Sequence, residues 1–227
     1  MSEGSLGREI VDKFFVAVRE GDDEGFRILI DRFPALASAR DPLGVSALML
    51  ALYRRHEGMA RVMAGMKDLD IWEAAATGAA AKLRELLGEN PSRADEPAPD
   101  GFSPLGFAAF FGQEECVRIL AGCGADIDAR AKNAAKVAPL HSAIAGRHHG
   151  IVRFLIERGA QVNIRQQQGF TPLHGAAAAG DLDTVLVLLT AGADAYLTSD
   201  DGKTPIDLAA EKGHTQIVSV LEKKAGM

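Results

Sequence analysis

Residues 168–194 read QGFTPLHGAAAAGDLDTVLVLLTAGAD, and the reading of this stretch decides the fold. Thr171 is placed to cap a helix, and Pro172 at the first helical position gives up no hydrogen bond there. Ala176 and Ala177 are small enough to let neighbouring helices approach closely. Gly180 suits a left-handed helix end, and Asp181 suits the cap of the next helix. Leu182, Val185, Leu186, Leu188 and Leu189 then cover one broad face of that second helix. Gly192 stops it, and the chain leaves through Ala193 and Asp194. The unit predicted is helix, tight turn, helix, extended finger.

The unit recurs. Pro104, Pro139, Pro172 and Pro205 stand second in the blocks SPLG, APLH, TPLH and TPID, at spacings of 35, 33 and 33 residues. A period near 33 is the mark of a stack of repeats. Aligning the turn between the two helices gives Gly21, Arg55, Gly78, Gly112, Arg147, Gly180 and Gly213, with gaps of 34, 23, 34, 35, 33 and 33. The gap of 23 leaves no room for a finger between the second and third units. Trp72 is placed by this alignment at the histidine position of the short third unit, as a core filler.

The strings TPLH, paired alanines, a glycine, a leucine-rich helix and GAD closely resemble the ankyrin repeat, and related strings are GADIDA at 124–129 and GAQVNI at 159–164. The resemblance implies an all-α ankyrin-repeat solenoid of stacked helix-turn-helix units with finger-like β-turn loops. It covers residues 9–224 as one domain, with units at about 9–40, 41–67, 68–99, 100–133, 134–166, 167–199 and 200–224. Residues 1–8 and 225–227 are expected to be tails. Helices of 8–10 residues are marginal alone, so each unit is expected to be stabilised by its neighbours. Charged residues such as Glu9, Asp12 and Lys13 in the first unit, and Glu211, Lys212 and Glu222 in the last, fit outward-facing ends.

A hydrophobic content of 47% with 25% charged residues is that of an ordinary folded protein. The formal charge of −6 argues against nucleic acid as a partner, because binding a phosphate backbone rests on clustered Lys and Arg. No apolar run reaches membrane-span length, and FFVAV at 14–18 is too short for a secretory signal. Ser2 after Met1 and the absence of a C-terminal cysteine carry no lipidation signal. Cys116 and Cys123, seven apart on one helix, are separated by about 10.5 Å of rise, too far for a disulfide. A cytoplasmic location and a monomer are expected.

The resemblance also implies a concave groove, lined by the fingers and first helices, that binds a protein partner. The groove residues carried over are Tyr53, Arg54, Phe102, Phe110, Phe111, Arg130, Lys132, Arg165, Gln167 and Phe170. Phe102 and Phe170 fall at a finger position that the family leaves largely exposed. Together with Tyr53, Phe110 and Phe111 they would form an aromatic strip flanked by arginines, the residue types enriched at binding hot spots. The finger at 130–137, RAKNAAKV, is two residues longer than its neighbour and concentrates basic side chains in an acidic chain, pairing it with an acidic patch or simply with solvent.

Of the six histidines, His141 and His174 match the motif histidine, and His56, His148 and His214 match the residue after the turn. His149 is expected at the surface. No metal-ligand spacing, catalytic dyad or phosphate-cradling loop is present, so no cofactor and no enzymatic activity are expected. Two alternatives stay open: a small-molecule or enzymatic site near Met66 and Trp72 at the irregular junction, and a structural oligomerisation module.

Overall fold

The computed structural model describes residues 7–225, so residues 1–6 of the expected N-terminal tail and 226–227 of the C-terminal one lie outside it. Within the described residues fourteen α-helices follow one another in pairs: α1 (Arg8–Glu20) with α2 (Asp23–Arg32), α3 (Ala47–Tyr53) with α4 (Glu57–Met66), and α5 (Ile71–Thr77) with α6 (Ala80–Glu89). The series continues with α7 (Pro104–Phe110) and α8 (Glu114–Gly122), then α9 (Pro139–Ala145) and α10 (His149–Glu157). It closes with α11 (Pro172–Ala178) and α12 (Leu182–Thr190), then α13 (Pro205–Glu211) and α14 (Thr215–Ala225). The odd-numbered helices pack on one another as an inner layer and the even-numbered ones as an outer layer. The fold is an all-helical solenoid.

The four motif prolines each open an inner helix. Caps precede most of these helices: Ser46, Ser103 and Asp70 accept the amides of Met49, Gly106 and Glu73 at 3.2, 3.1 and 2.9 Å. Thr204 and Asp207 cap reciprocally, the Asp207 carboxylate accepting the Thr204 amide at 2.8 Å. Ala138 holds the same position before α9 and has no side chain to offer.

All seven aligned turn residues have positive φ, including Arg55 (62°) and Arg147 (60°). At Gly21, Gly78, Gly112 and Gly180 the next unit fills the space a side chain would take, whereas Gly213 has nothing within 4 Å. A Cβ on Gly112 would come within 2.5 Å of the His148 ring, and one on Gly180 within 2.6 Å of the His214 ring. Beside Arg55 and Arg147 the corresponding residues of the following units are Ala79 and Asp181, which leave space for a side chain. The histidines in turn approach the preceding inner helix, His148 Nε2 lying 3.0 Å from the Phe110 carbonyl and His214 Nε2 3.3 Å from that of Ala178. Arg147 reaches forward instead and donates to the Ala179 carbonyl at 2.8 Å.

The core falls into two clusters that meet at α5, where Leu69 and Trp72 touch both. The third unit departs from the alignment made on sequence. Counted from the caps, the position of His174 belongs to Glu73, the third residue of α5, and Trp72 precedes it. Trp72 is half-buried and donates its indole N–H to the Glu96 carbonyl at 2.8 Å. Glu73 is fully buried, accepts from Lys67 Nζ at 2.8 Å and from the Asp70 amide at 3.2 Å, and so ties down the short linker that replaces a finger. Arg40 of the preceding finger pairs with Asp70 at 2.6 Å.

Candidate functional site: the face of fingers and inner helices

Each finger is closed by a backbone bond: Ala98 to Phe102 and Gln166 to Phe170 at 2.9 Å, Ser199 to Lys203 at 2.8 Å. The longer finger closes from Ala131 to Val137 at 2.9 Å. Neighbouring fingers are also laced together. Lys132 donates to the Gly101 carbonyl at 2.7 Å, Gln167 to Ala135 at 2.9 Å and Asp200 to Gln168 at 2.9 Å. Backbone groups that would otherwise need water are thereby paired, and the fingers form a continuous ledge beside the inner helices.

Motif histidines join ledge to helices. His174 Nδ1 accepts the Thr171 amide at 3.2 Å and lies 2.8 Å from the Thr171 hydroxyl, so Nε2 carries the proton and donates to the Lys203 carbonyl at 3.0 Å. His141 Nε2 lies 3.3 Å from the Phe170 carbonyl, but its buried Nδ1 has no partner. Ala138 lacks the hydroxyl that serves His174. Burial, aided by nearby Arg130, pushes the His141 imidazole down to about 4, and burial lowers His174 as well. His149, expected at the surface, is half exposed and pairs with Asp181 at 2.8 Å.

Above the inner helices lies a hollow of about 340 Å³. Its origin is a step in side-chain volume. The last residue of the inner helix is Tyr53, Phe110, Ala145 and Ala178 in the second, fourth, fifth and sixth units, and an earlier position runs Phe107, Ser142, Gly175. Large rings therefore form one wall, and small residues leave the space beside it unfilled. Val137 and Gln166 of the fingers close the ledge side, and Ile144 and Pro172 add apolar surface.

Tyr53 belongs to this wall although the whole third unit separates it from Phe107. The missing finger and the small, fully buried Ala76 bring its ring to 6.4 Å from Phe107 and 6.0 Å from Phe111. The Tyr53 hydroxyl donates to Asp100 at 2.5 Å. Burial and that carboxylate hold the phenol well above the usual tyrosine range.

Of the ten residues picked from sequence, Tyr53, Phe102 and Phe110 line the hollow. Phe111 packs edge-on against Phe110 at 5.1 Å, just outside it. The expectation of largely exposed finger phenylalanines is corrected: Phe102 and Phe170 are both half-buried. Phe102 leans on Phe107 at 5.7 Å and Phe170 on His174 at 5.3 Å, because each finger folds back onto its own inner helix. The single aromatic strip is therefore a cluster of five rings around Tyr53 and Phe107, with Phe170 apart. Arg165 is spent within the ledge, donating to the Gly169 and Thr198 carbonyls. Arg54, Arg130, Lys132 and Gln167 are exposed.

Phe107 and Gly175 were not singled out from sequence, and His141 was read only as a motif residue, yet all three are in the lining together with Ala145. The signal for them was present in the size of residues at equivalent helix positions, which a motif search ignores. At the irregular junction, by contrast, the gap beside Arg40, Trp72 and Pro99 is only about 10 Å³, too small for a ligand. Among the described residues no helix is long and apolar enough to cross a membrane. Cys116 is buried, which raises its thiol to about 11, and Cys123 is exposed.

Comparison with known proteins agrees with this architecture. Residues 71–166 match the family model for ankyrin repeats (three copies), 155–209 that for ankyrin repeats (many copies), and 201–226 that for a single ankyrin repeat. Rabankyrin-5 of Homo sapiens and of Mus musculus are each 37% identical over 78 residues, which is 34% of this chain. The match spans only 6% of the length of those relatives. With its paired helices, laced fingers and matching repeats, the chain belongs to the ankyrin-repeat family.

Proposed function

We propose that this protein is a non-catalytic interaction scaffold that holds a protein partner against the concave face of its fingers and inner helices. The observation that supports this reading most is the hollow beside the aromatic wall, set in a ledge whose backbone is already paired. A preformed, rigid surface loses little conformational freedom on binding, which favours affinity. The residues proposed to contact the partner are Tyr53, Arg54, Phe102, Phe110, Phe111, Arg130, Lys132, Arg165, Gln167 and Phe170, of which Tyr53, Phe102 and Phe110 line the hollow. Residues 9–224 would act as one domain and as a monomer, in a reducing compartment suited to two free thiols.

The test is affinity capture from the native host, comparing wild type with Phe110→Ala combined with Phe170→Ala. A partner lost by the double variant, but retained by Val62→Glu and Leu186→Glu at exposed outer-helix positions, supports the reading. Circular dichroism must show the variants folded. A partner that ignores the groove changes and is lost by the outer-helix changes defeats it.

A further inference from the structure

We infer that the hollow receives one large apolar side chain of an acidic partner segment, with the cations of the adjoining finger pairing with carboxylates on either side of that anchor. This deepens the scaffold reading above and rests on it. Three features of the molecule carry it.

The first is size. Pockets for whole small ligands run from about 300 to 1,000 Å³. At about 340 Å³ the hollow lies at the bottom of that range, the scale of a single tryptophan, phenylalanine or leucine with its immediate backbone. Its wall is Tyr53, Phe107 and Phe110, and its floor is Gly175, Ala145 and Ala179. Aromatic walls around a small-residue floor are suited to burying an apolar group from water.

The second is charge. Although the chain carries −6 overall, the finger that supplies Val137 to the hollow also carries Arg130, Lys132 and Lys136, all exposed. Among the described residues none of the three makes a side-chain ion pair or hydrogen bond. They are tied close to the hollow, since Ala131 bonds to Val137 and Lys132 to Gly101, next to Phe102. The carboxylates of Asp100 and Asp128 accept from the Tyr53 hydroxyl and from the Gln161 amide at 3.0 Å, and among the described residues neither forms an ion pair with a finger cation. Asp201 accepts from the Ser199 hydroxyl at 2.5 Å.

The third is that these cations have no structural duty. Arg165 on the next finger shows what a structural arginine does here, donating to two carbonyls of the ledge. Arg130, Lys132 and Lys136 make no such bond, and they stand exposed on the finger whose Val137 borders the hollow. Complementary charge steers encounter and fixes register.

The experiment uses the full chain, immobilised, and a random peptide library displayed on phage. Peptides enriched on wild type are expected to share one large apolar residue flanked by Asp or Glu. A synthetic peptide of that consensus, labelled with fluorescein, should weaken at least tenfold when its anchor becomes alanine. It should weaken likewise on Ala145→Phe, which fills the hollow from an exposed position, and on Arg130→Glu combined with Lys132→Glu. Gly175→Ala provides a milder second filling, because a Cβ there would meet only Ile144 Cγ2 at an ordinary 3.7 Å. Raising salt from about 50 to about 500 mM should also weaken binding.

Enrichment of basic or anchorless peptides, no enrichment at all, or binding indifferent to Ala145→Phe and to the charge reversal would overturn the inference. So would N-acetyltryptophanamide binding as tightly as the peptide, which would make the hollow a small-molecule site. A host partner that depends on Phe110 and Phe170 but not on Ala145 or the finger cations would sink this inference and leave the scaffold reading standing.

Discussion

Replacing Lys67 by methionine tests the account of the irregular junction. Lys67 Nζ and Glu73 Oε1 lie 2.8 Å apart with side-chain exposures of 8% and 1%. The substitution keeps the length of the apolar stem but strands the Glu73 carboxylate in a buried site. Breaking a buried pair in this way costs about 3–5 kcal/mol, far above the 0–1 kcal/mol of an exposed one. A domain is typically stable by about 5–15 kcal/mol, so the loss should be conspicuous. The chain has one tryptophan, Trp72, beside Glu73, and its fluorescence reports unfolding of the junction itself. In urea, the Trp72 transition of Lys67→Met should move to clearly lower denaturant. Adding Glu73→Gln should restore much of the loss, because a neutral amide still accepts the Asp70 amide now made to Oε2 at 3.2 Å. A single-variant cost below about 1 kcal/mol, or a double variant no better than the single, would refute the reasoning.

Three further outcomes are expected. Because burial takes His141 from an ordinary 6.5 down to about 4, the folded state favours the neutral ring. Its stabilisation is complete above pH 6.5 and is lost as pH falls towards 4, by at most about 3 kcal/mol; stability measured across that window should fall less steeply for His141→Gln. Ala138→Ser, supplying the hydroxyl present before the other proline-led helices, should add about 1 kcal/mol, read as a raised unfolding midpoint. Gly112→Ala should cost about 2 kcal/mol or more, since its φ of 76° is left-handed and the His148 ring occupies the space. Arg147→Ala at the equivalent turn should cost under about 1 kcal/mol, and equal losses would contradict the explanation of which turns carry glycine.

The ledge and the recess belong to different levels of description, and this governs what could be read in advance. Pro172 at a helix start, Gly180 at a turn and Leu188 on a buried face act within their own unit, so their meaning survives in any one copy and is reinforced by the others. The positive φ at Arg55 and Arg147 was legible for the same reason, from alignment with glycine. Why arginine is tolerated there was not, because the answer lies in Ala79 and Asp181 of the next unit. Trp72 was misplaced by one position, in the place that belongs to Glu73, because the turn, not the helix cap, set the register of a unit with a shortened linker.

Sequence alone determined the repeating helix pairs and the site of the absent finger, since both follow from short-range backbone preferences and the interval at which they recur, while the face expected to be a groove came from the resemblance to ankyrin repeats. The tertiary structure alone settled that Tyr53 reaches across the third unit to meet Phe107 and Phe111, that Phe102 and Phe170 fold back onto their own helices, and that a hollow opens over Ala145 and Gly175. Those outcomes depend on side-chain volumes summed across three stacked units, and a hollow is defined by atoms that no single repeat contains.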